Sequence, residues 1–234
     1  YVSVTSNCSL LTAEKSRALL DAGLDELRMT LVHTTSSGYK RLTGIFSDVE
    51  LVKANMRKMR ELRDEGGYKT RLVCKLIDTW LTEPEKEKYS EWHDCADALA
   101  TNTVCDLLGG ESDTVDYSKK DKALDGLSPL KRDRVVCPYP FYYLCIETDG
   151  DASTCCADIE AELVIGNILK QHVVDIWNGD TANQQRAVQA LGKKKELYQA
   201  CRKCKFLESV SQDSDLDAIQ DKLVSIYSRY WKIP

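Results

Sequence analysis

The 234-residue sequence predicts an α/β fold, in which a series of strands and helices precedes a smaller cysteine-bearing region. Two observations carry this expectation. Over residues 1–110, short β-branched or alternating runs are interleaved with amphipathic segments of helical period, the pattern of strand–helix units around a parallel sheet. From Cys137 to Cys204 the cysteines fall at C-x12-G-x4-C, a gap, then C-x2-C. That spacing can deliver thiolates from a turn, a hairpin end and a tight knuckle to one metal centre.

The elements follow in order. Val2–Thr5 reads as a strand and Ser6-Asn7-Cys8-Ser9-Leu10-Leu11 as a loop. Thr12 caps a helix running to about Ala22, with Leu19 and Leu20 on its inner side and Gly23 as the stop. Glu26–Leu31 is a second strand, so the chain opens on a βαβ unit. Gly38–Gly44 reads as a loop. Ser47-x-x-Glu50 predicts a capping box, and Val52, Met56, Met59 and Leu62 recur at helical spacing up to Gly66-Gly67. Thr70–Ile77 alternates as a third strand, Glu83 to about Leu99 reads as a helix, and Thr103–Leu108 as the fourth strand. No repeat at solenoid periods occurs.

Residues 111–135 are rich in charge, contain Gly126 and Pro129, and read as a linker. Phe141 to Asp149 alternates into a strand, Asp149-Gly150 supplies a turn, and the chain returns to Cys155 as a hairpin. Leu163–Ile168 and a helical segment holding Asp175-Ile176-Trp177-Asn178 and Arg186 come next. Residues 209–234 are expected to form a docking helix. Ser214–Tyr230 starts acidic, ends basic, and places Leu216, Ile219, Leu223, Ile226 and Tyr227 on one face.

Lys and Arg number 32 against 37 Asp and Glu, a net charge of -5, which argues against a general nucleic-acid binder. No apolar run reaches the length of a membrane span and no signal peptide opens the chain, so a cytoplasmic protein without a membrane partner is expected. The 10 cysteines cluster in a C-x2-C and a Cys-Cys pair, which reads as metal ligation in a reducing compartment. Thiolates select chiefly zinc or an iron-sulfur cluster. Zinc sites usually draw two close pairs or histidine-containing pairs, and this chain has one C-x2-C, so iron-sulfur is favoured. A non-enzymatic zinc-binding interaction module is the alternative.

The order Cys137, a hairpin with Asp149-Gly150, Cys155-Cys156, Ile165-Gly166-Asn167-Ile168, Ile176-Trp177-Asn178 and Cys201-x-x-Cys204 resembles the C-terminal region of radical SAM enzymes of the SPASM and twitch type. The resemblance implies an auxiliary [4Fe-4S] cluster held within residues 136–208. In the complete enzyme, S-adenosylmethionine is cleaved at a second [4Fe-4S] cluster. No cysteine follows Cys204, which favours the single-cluster twitch form with Cys137, Cys155, Cys201 and Cys204 as ligands. Cys156 competes with Cys155, because neighbours on a strand face opposite sides. Cys145 reads as core.

A second resemblance lies in the first part. Radical SAM barrels often read TNG-x-LL after one strand and R-I-S-I in the next, and Ser6–Leu11 and Arg28-Met29-Thr30-Leu31 are similar. This implies Asn7 and Thr30 as cofactor contacts. Cys8 stands where glycine is usual, and glycine tolerates a positive φ that cysteine does not. The C-x3-C-x2-C motif is not in place, and Gly109-Gly110-Glu111 follows the last strand, out of order. Residues 1–110 are therefore expected to be a partial radical SAM βα barrel lacking its first strands, in a chain that lacks an N-terminal portion and is inactive alone.

The implied activity is that of a radical SAM oxidoreductase or maturase. The auxiliary cluster would accept an electron from the substrate radical or orient the substrate. A small carbohydrate-like alcohol is slightly favoured over a peptide, and a flavodoxin- or ferredoxin-like electron donor is the implied partner. Catalytic residues are not assigned. Elsewhere the plainer readings hold: Trp177 and Tyr142 as aromatic core, His33 at a surface or barrel mouth, and His93 and His172 solvated on helices. Lys193–Lys195 reads as a solvated helix end, and Asp158 as a hydrogen-bonding residue in its own turn.

Overall fold

Period-two alternation of apolar residues gives the first part its sheet. In the computed structural model, which describes residues 1–77, 81–102, 129–202 and 204–232, Ser3–Ser6 (β1), Glu26–Leu31 (β2), Arg71–Ile77 (β3) and Ala98–Asn102 (β4) pair in parallel, in the order β1-β2-β3-β4. The chain divides into two compact units, residues 1–104 and 105–234. In the first, the crossovers pass through Ala13–Asp21 (α1), Ser36–Thr43 (α2), Val49–Gly66 (α3) and Glu83–Glu87 (α4). Leu27, Met29, Leu31, Leu72, Cys74 and Leu76 share one sheet face and join Leu20, Met56, Met59 and Trp92 in a single core. The opposite face is polar. There Glu26 is buried beside Arg28 and 2.9 Å from Arg71; burial would raise its carboxyl pKa, but the two guanidiniums outweigh it and hold the group below its ordinary range.

The expected boundaries hold for β2 and for α1, whose Thr12 hydroxyl accepts from the Lys15 N–H at 3.2 Å and whose stop, Gly23, has φ +76°. Three others move. Gly38–Gly44 belongs to helix α2, since Thr35 caps it by accepting from the Gly38 N–H and Gly44 ends it at φ +73°. Asp48, not Ser47, caps α3, accepting from the Glu50 and Leu51 N–H groups, both at 3.1 Å. The helix expected from Glu83 to about Leu99 ends at Glu87, becomes a 3₁₀ turn over Lys88–Asp94, and gives way to β4. Tyr89 explains this, because its hydroxyl reaches the backbone oxygens of Cys74 at 2.5 Å and Ala100 at 2.8 Å and draws the segment onto the sheet. The fourth strand is thus met at Ala98. Thr103–Leu108 and Gly109-Gly110-Glu111 lie outside the described residues.

His33, expected at a surface or barrel mouth, is fully buried beyond the end of β2. Its Nδ1 accepts from the Thr35 N–H at 3.0 Å, its Nε2 lies 3.2 Å from a Glu85 carboxylate oxygen, and Gly38 sits so close that an added Cβ would fall 2.1 Å from the ring. Burial lowers the His33 pKa, with Glu85 opposing it. A histidine held neutral in the fold contributes stability that is complete above its unfolded value, about 6.5, and is lost as pH falls below it. Hydrogen-exchange protection of β2 and β3 is therefore expected to weaken as pH falls below about 6.5. His33→Gln should flatten that dependence, and an unchanged slope would exclude His33 as its source.

In the second unit, Cys145–Ile146 (β5), Asp151–Ser153 (β6) and Val164–Asn167 (β7) form an antiparallel sheet in that order. The strand expected from Phe141 is shorter because Tyr139–Tyr142 is one helical turn (α5), with Pro140 early in it and the Tyr143 N–H closing on Tyr139 O at 2.8 Å. The Asp149-Gly150 turn forms as expected, with Gly150 at φ +87°. Val173–Asn178 (α6), Asp180–Ala190 (α7), Lys194–Leu197 (α8) and Gln199–Arg202 (α9) follow. The C-terminal helix is only Gln220–Tyr227 (α10), preceded by 3₁₀ turns. Leu216 and Leu223 are buried with Val136 and Ala190, whereas Ile219 and Ile226 stay exposed. The end of the expected linker is structured: Arg134 is buried and donates to the backbone oxygens of Leu207 and Val210. Tyr142 is exposed rather than core, while Trp177 is half-buried beneath the Arg186 guanidinium, 4.1 Å from its ring. His93 and His172 are exposed, and His172 caps α6.

Candidate metal centre

Three separate local devices bring the cysteines of the second unit together. The segment leading to Cys137 is held by Asp217, whose carboxylate accepts from the Val135 and Val136 N–H groups at 3.1 and 2.8 Å. Past Cys137, α5 is gripped from α7 by Arg186, which donates from Nε to Pro140 O at 2.9 Å. Cys155 lies two residues past the return strand of the hairpin, β6. The Ser153 hydroxyl donates to its carbonyl at 3.2 Å, and the Ala157 N–H donates to its Sγ at 3.4 Å. Asp158 closes the following turn, as expected, by accepting from the Glu162 and Leu163 N–H groups. Glu162 in turn accepts from the first N–H groups of α9, those of Gln199 and Ala200, at 2.9 and 2.8 Å, and so ties the Cys201 turn to the Cys155 loop.

As a result Cys137, Cys155, Cys201 and Cys204 line one cavity of about 60 Å³, together with Tyr139, Phe206, Lys194 and Arg134. That is several times the roughly 10–15 Å³ one water molecule requires. Among the described residues, no group of three or more His, Cys, Asp or Glu side chains stands close enough to hold a metal ion. Cys156 is exposed and does not line this cavity; it hydrogen-bonds to Cys145, which is half-buried at the hairpin and not fully core. The two adjacent cysteines thus face different surroundings, but they do so from the turn after β6 and not, as expected, by alternation along a strand.

Burial pushes the Cys137 thiol up to about 11 and Cys201 up to about 12, and raises Cys155 as well. The neighbouring sulfurs add to this, since thiolates crowded together repel. Filling the site with a metal centre must therefore displace protons. The compensating charge comes from residues that the sequence pattern did not single out. Lys194, expected as part of a solvated helix end, is buried and donates to Val135 O. A run of three lysines carries no local signal that its middle member turns inward. Arg134, Asp217 and Glu162 were hidden in the same way, each acting on backbone distant in sequence.

In the first unit, Asn7 follows β1 and accepts from the Ser9 N–H and hydroxyl at 3.1 and 2.9 Å. It lines a cavity of about 480 Å³ with Ser9, Leu10 and Lys15. Thr30 does not line that cavity; it is half-buried in mid-β2, in register with Lys75. Cys8, in the glycine position, nevertheless adopts φ +56° while fully buried, a conformation that costs about 1–2 kcal/mol for a non-glycine residue. The loop keeps the glycine-like shape and bears that strain.

Residues 137–205 match the SPASM family, an iron-sulfur cluster-binding domain. No curated protein sequence matches the chain. Among solved structures, Streptococcus suis SuiB bound to precursor peptide SuiA is similar at a TM-score of 0.57 and 13% identity, covering 91% of this chain and 58% of SuiB. Native anSMEcpe with bound AdoMet and Kp18Cys peptide is similar at a TM-score of 0.52 and 12% identity, covering 98% of this chain and 74% of the other. The chain thus spans only part of each. The chain shares the α/β fold of these structures, and its residues 137–205 match an iron-sulfur cluster-binding domain of SPASM type. Among the described residues, no helix is long and apolar enough to cross a membrane.

Proposed function

We propose that this chain supplies the auxiliary-cluster region of a radical SAM oxidoreductase, with Cys137, Cys155, Cys201 and Cys204 as the ligands of one [4Fe-4S] cluster. The observation that carries the reading is that these four thiols, drawn from 68 residues of chain, line a common cavity inside the SPASM-matched range. The donor set fits: four sulfurs, a space larger than one ion, and cationic side chains that would balance the negative charge of a thiolate-bound cluster. When bound, such a cluster supplies one-electron chemistry at a potential set by its ligands, hydrogen bonds and burial.

The chain's own residues hold the four sulfurs in place, and Tyr139, Leu163, Phe206 and Leu207 cover them with apolar surface. Asn7 and Thr30 are proposed as S-adenosylmethionine contacts in the first unit. The substrate is proposed to be a small carbohydrate-like alcohol, in keeping with a single auxiliary cluster. A peptide is the second class, and it is the kind of ligand named for both similar structures. A flavodoxin- or ferredoxin-like protein is the proposed electron donor.

Iron and acid-labile sulfide counting after anaerobic reconstitution tests the reading. About four irons and four sulfides per chain, with brown colour, are expected. One zinc per chain with no visible absorption would replace the proposal by a structural zinc module.

A further inference from the structure

Beneath the four thiols lies a second layer that the cluster reading leaves unexplained. Gln189, at the end of α7, is only 2% exposed, and its side chain lowers the pKa of the Cys201 thiol against the larger rise that burial causes. Its Oε1 is buried with no hydrogen-bond partner among the described residues. Lys194, 5% exposed, lines the cavity and forms no ion pair among the described residues. One of its three donors goes to Val135 O. Arg134 also lines the cavity. Its two terminal nitrogens bond to the backbone oxygens of Leu207, Val210 and Ser211, and one lies 3.8 Å from Asp215, while its buried Nε has no partner among the described residues.

A buried ammonium without a carboxylate is costly, as is a buried N–H without an acceptor, and both costs disappear if an anion occupies the cavity. We propose that Gln189 and Lys194, supported by Arg134, are positioning residues that raise the reduction potential of the auxiliary cluster, so that it works as an electron acceptor. The inference rests on the cluster reading above. Its physical basis is that adding an electron adds negative charge. A nearby fixed cation, and an N–H donated to a ligand sulfur, both stabilise the reduced form more than the oxidised one. Lys194 lines the same cavity as Cys137 and Cys201, and the Gln189 side chain lowers the Cys201 pKa.

The test uses the full chain, reconstituted anaerobically with iron and sulfide, as wild type and as Lys194→Met, Lys194→Arg and Gln189→Met. Iron and sulfide content is measured first, and then the midpoint potential by redox titration. In Lys194→Met the equilibrium constant for one-electron reduction is expected to fall at least about tenfold, or about 59 mV, with a smaller fall in Gln189→Met and recovery in Lys194→Arg. If Lys194→Met holds too little iron to titrate, recovery of iron in Lys194→Arg together with a lowered potential in Gln189→Met sustains the proposal. Full cluster content with unchanged potentials overturns it. So does an iron loss in Lys194→Met that arginine does not restore, alongside an unchanged Gln189→Met. A wild-type chain that takes up zinc, or no iron at all, instead sinks the cluster reading itself, so the two failures are distinguishable.

Discussion

Cys155→Ala is expected to abolish iron-sulfur assembly, whereas Cys156→Ala should leave iron content near that of the parent chain. The two residues are neighbours with the same chemistry, so composition and local sequence predict the same outcome for both. Their surroundings differ. Cys155 lines the cavity with Cys137, Cys201 and Cys204 and already receives the Ala157 N–H on its sulfur. Cys156 is exposed and turned toward Cys145. Loss of residues behind metal ligands typically costs about 10–100-fold in metal affinity, and loss of a ligand itself should exceed that. Cys204→Ala should match Cys155→Ala, and Cys145→Ala should match Cys156→Ala. Equal iron loss in Cys145→Ala and Cys204→Ala would show that the ligands are wrongly assigned.

The second large effect is expected at Arg186, which is 3% exposed. It donates to Pro140 O, Trp177 O and the Asn183 side chain at 2.8–2.9 Å, and it stacks on the Trp177 ring. It therefore joins α6, α7 and the turn after Cys137. Burial lowers its pKa, so holding the charge there is itself unfavourable. Truncation nevertheless leaves buried acceptors bare, at about 1–3 kcal/mol each, and empties the space the side chain fills. The net loss for Arg186→Ala should be of order 3–5 kcal/mol, since such terms do not simply add. Arg186→Lys should recover only part of it, because an ammonium cannot reproduce the planar fork. Faster amide exchange through α5 and α7, with weakened iron retention, is the expected readout. Parental exchange rates in α5 would show that Arg186 does not hold the Cys137 turn.

Much of this architecture was legible from local pattern. Alternation in Glu26–Leu31 and the spacing of Val52, Met56, Met59 and Leu62 identify buried faces, because a strand and a helix each present one side at a fixed period. Asp149-Gly150 marks a turn because only glycine enters the left-handed region without strain. The spacing from Cys137 to Cys204 points to Cys137, Cys201, Cys204 and one of the pair Cys155-Cys156, and it is Cys155 that lines the cavity with the other three.

What local pattern could not supply depends on partners far along the chain. Tyr89 reaches Cys74 and Ala100 and ends a helix that periodicity alone extends to Leu99. Asp217 bonds to the Val135 backbone 82 residues before it and makes the end of the expected linker part of the site. Lys194 looks like any other member of a basic run until Val135, 59 residues away, supplies an acceptor and the cysteines supply a reason for burying the charge. Which side chains line a face is decided over a few residues of backbone geometry. Which charges go inside is decided by what the rest of the fold places opposite them.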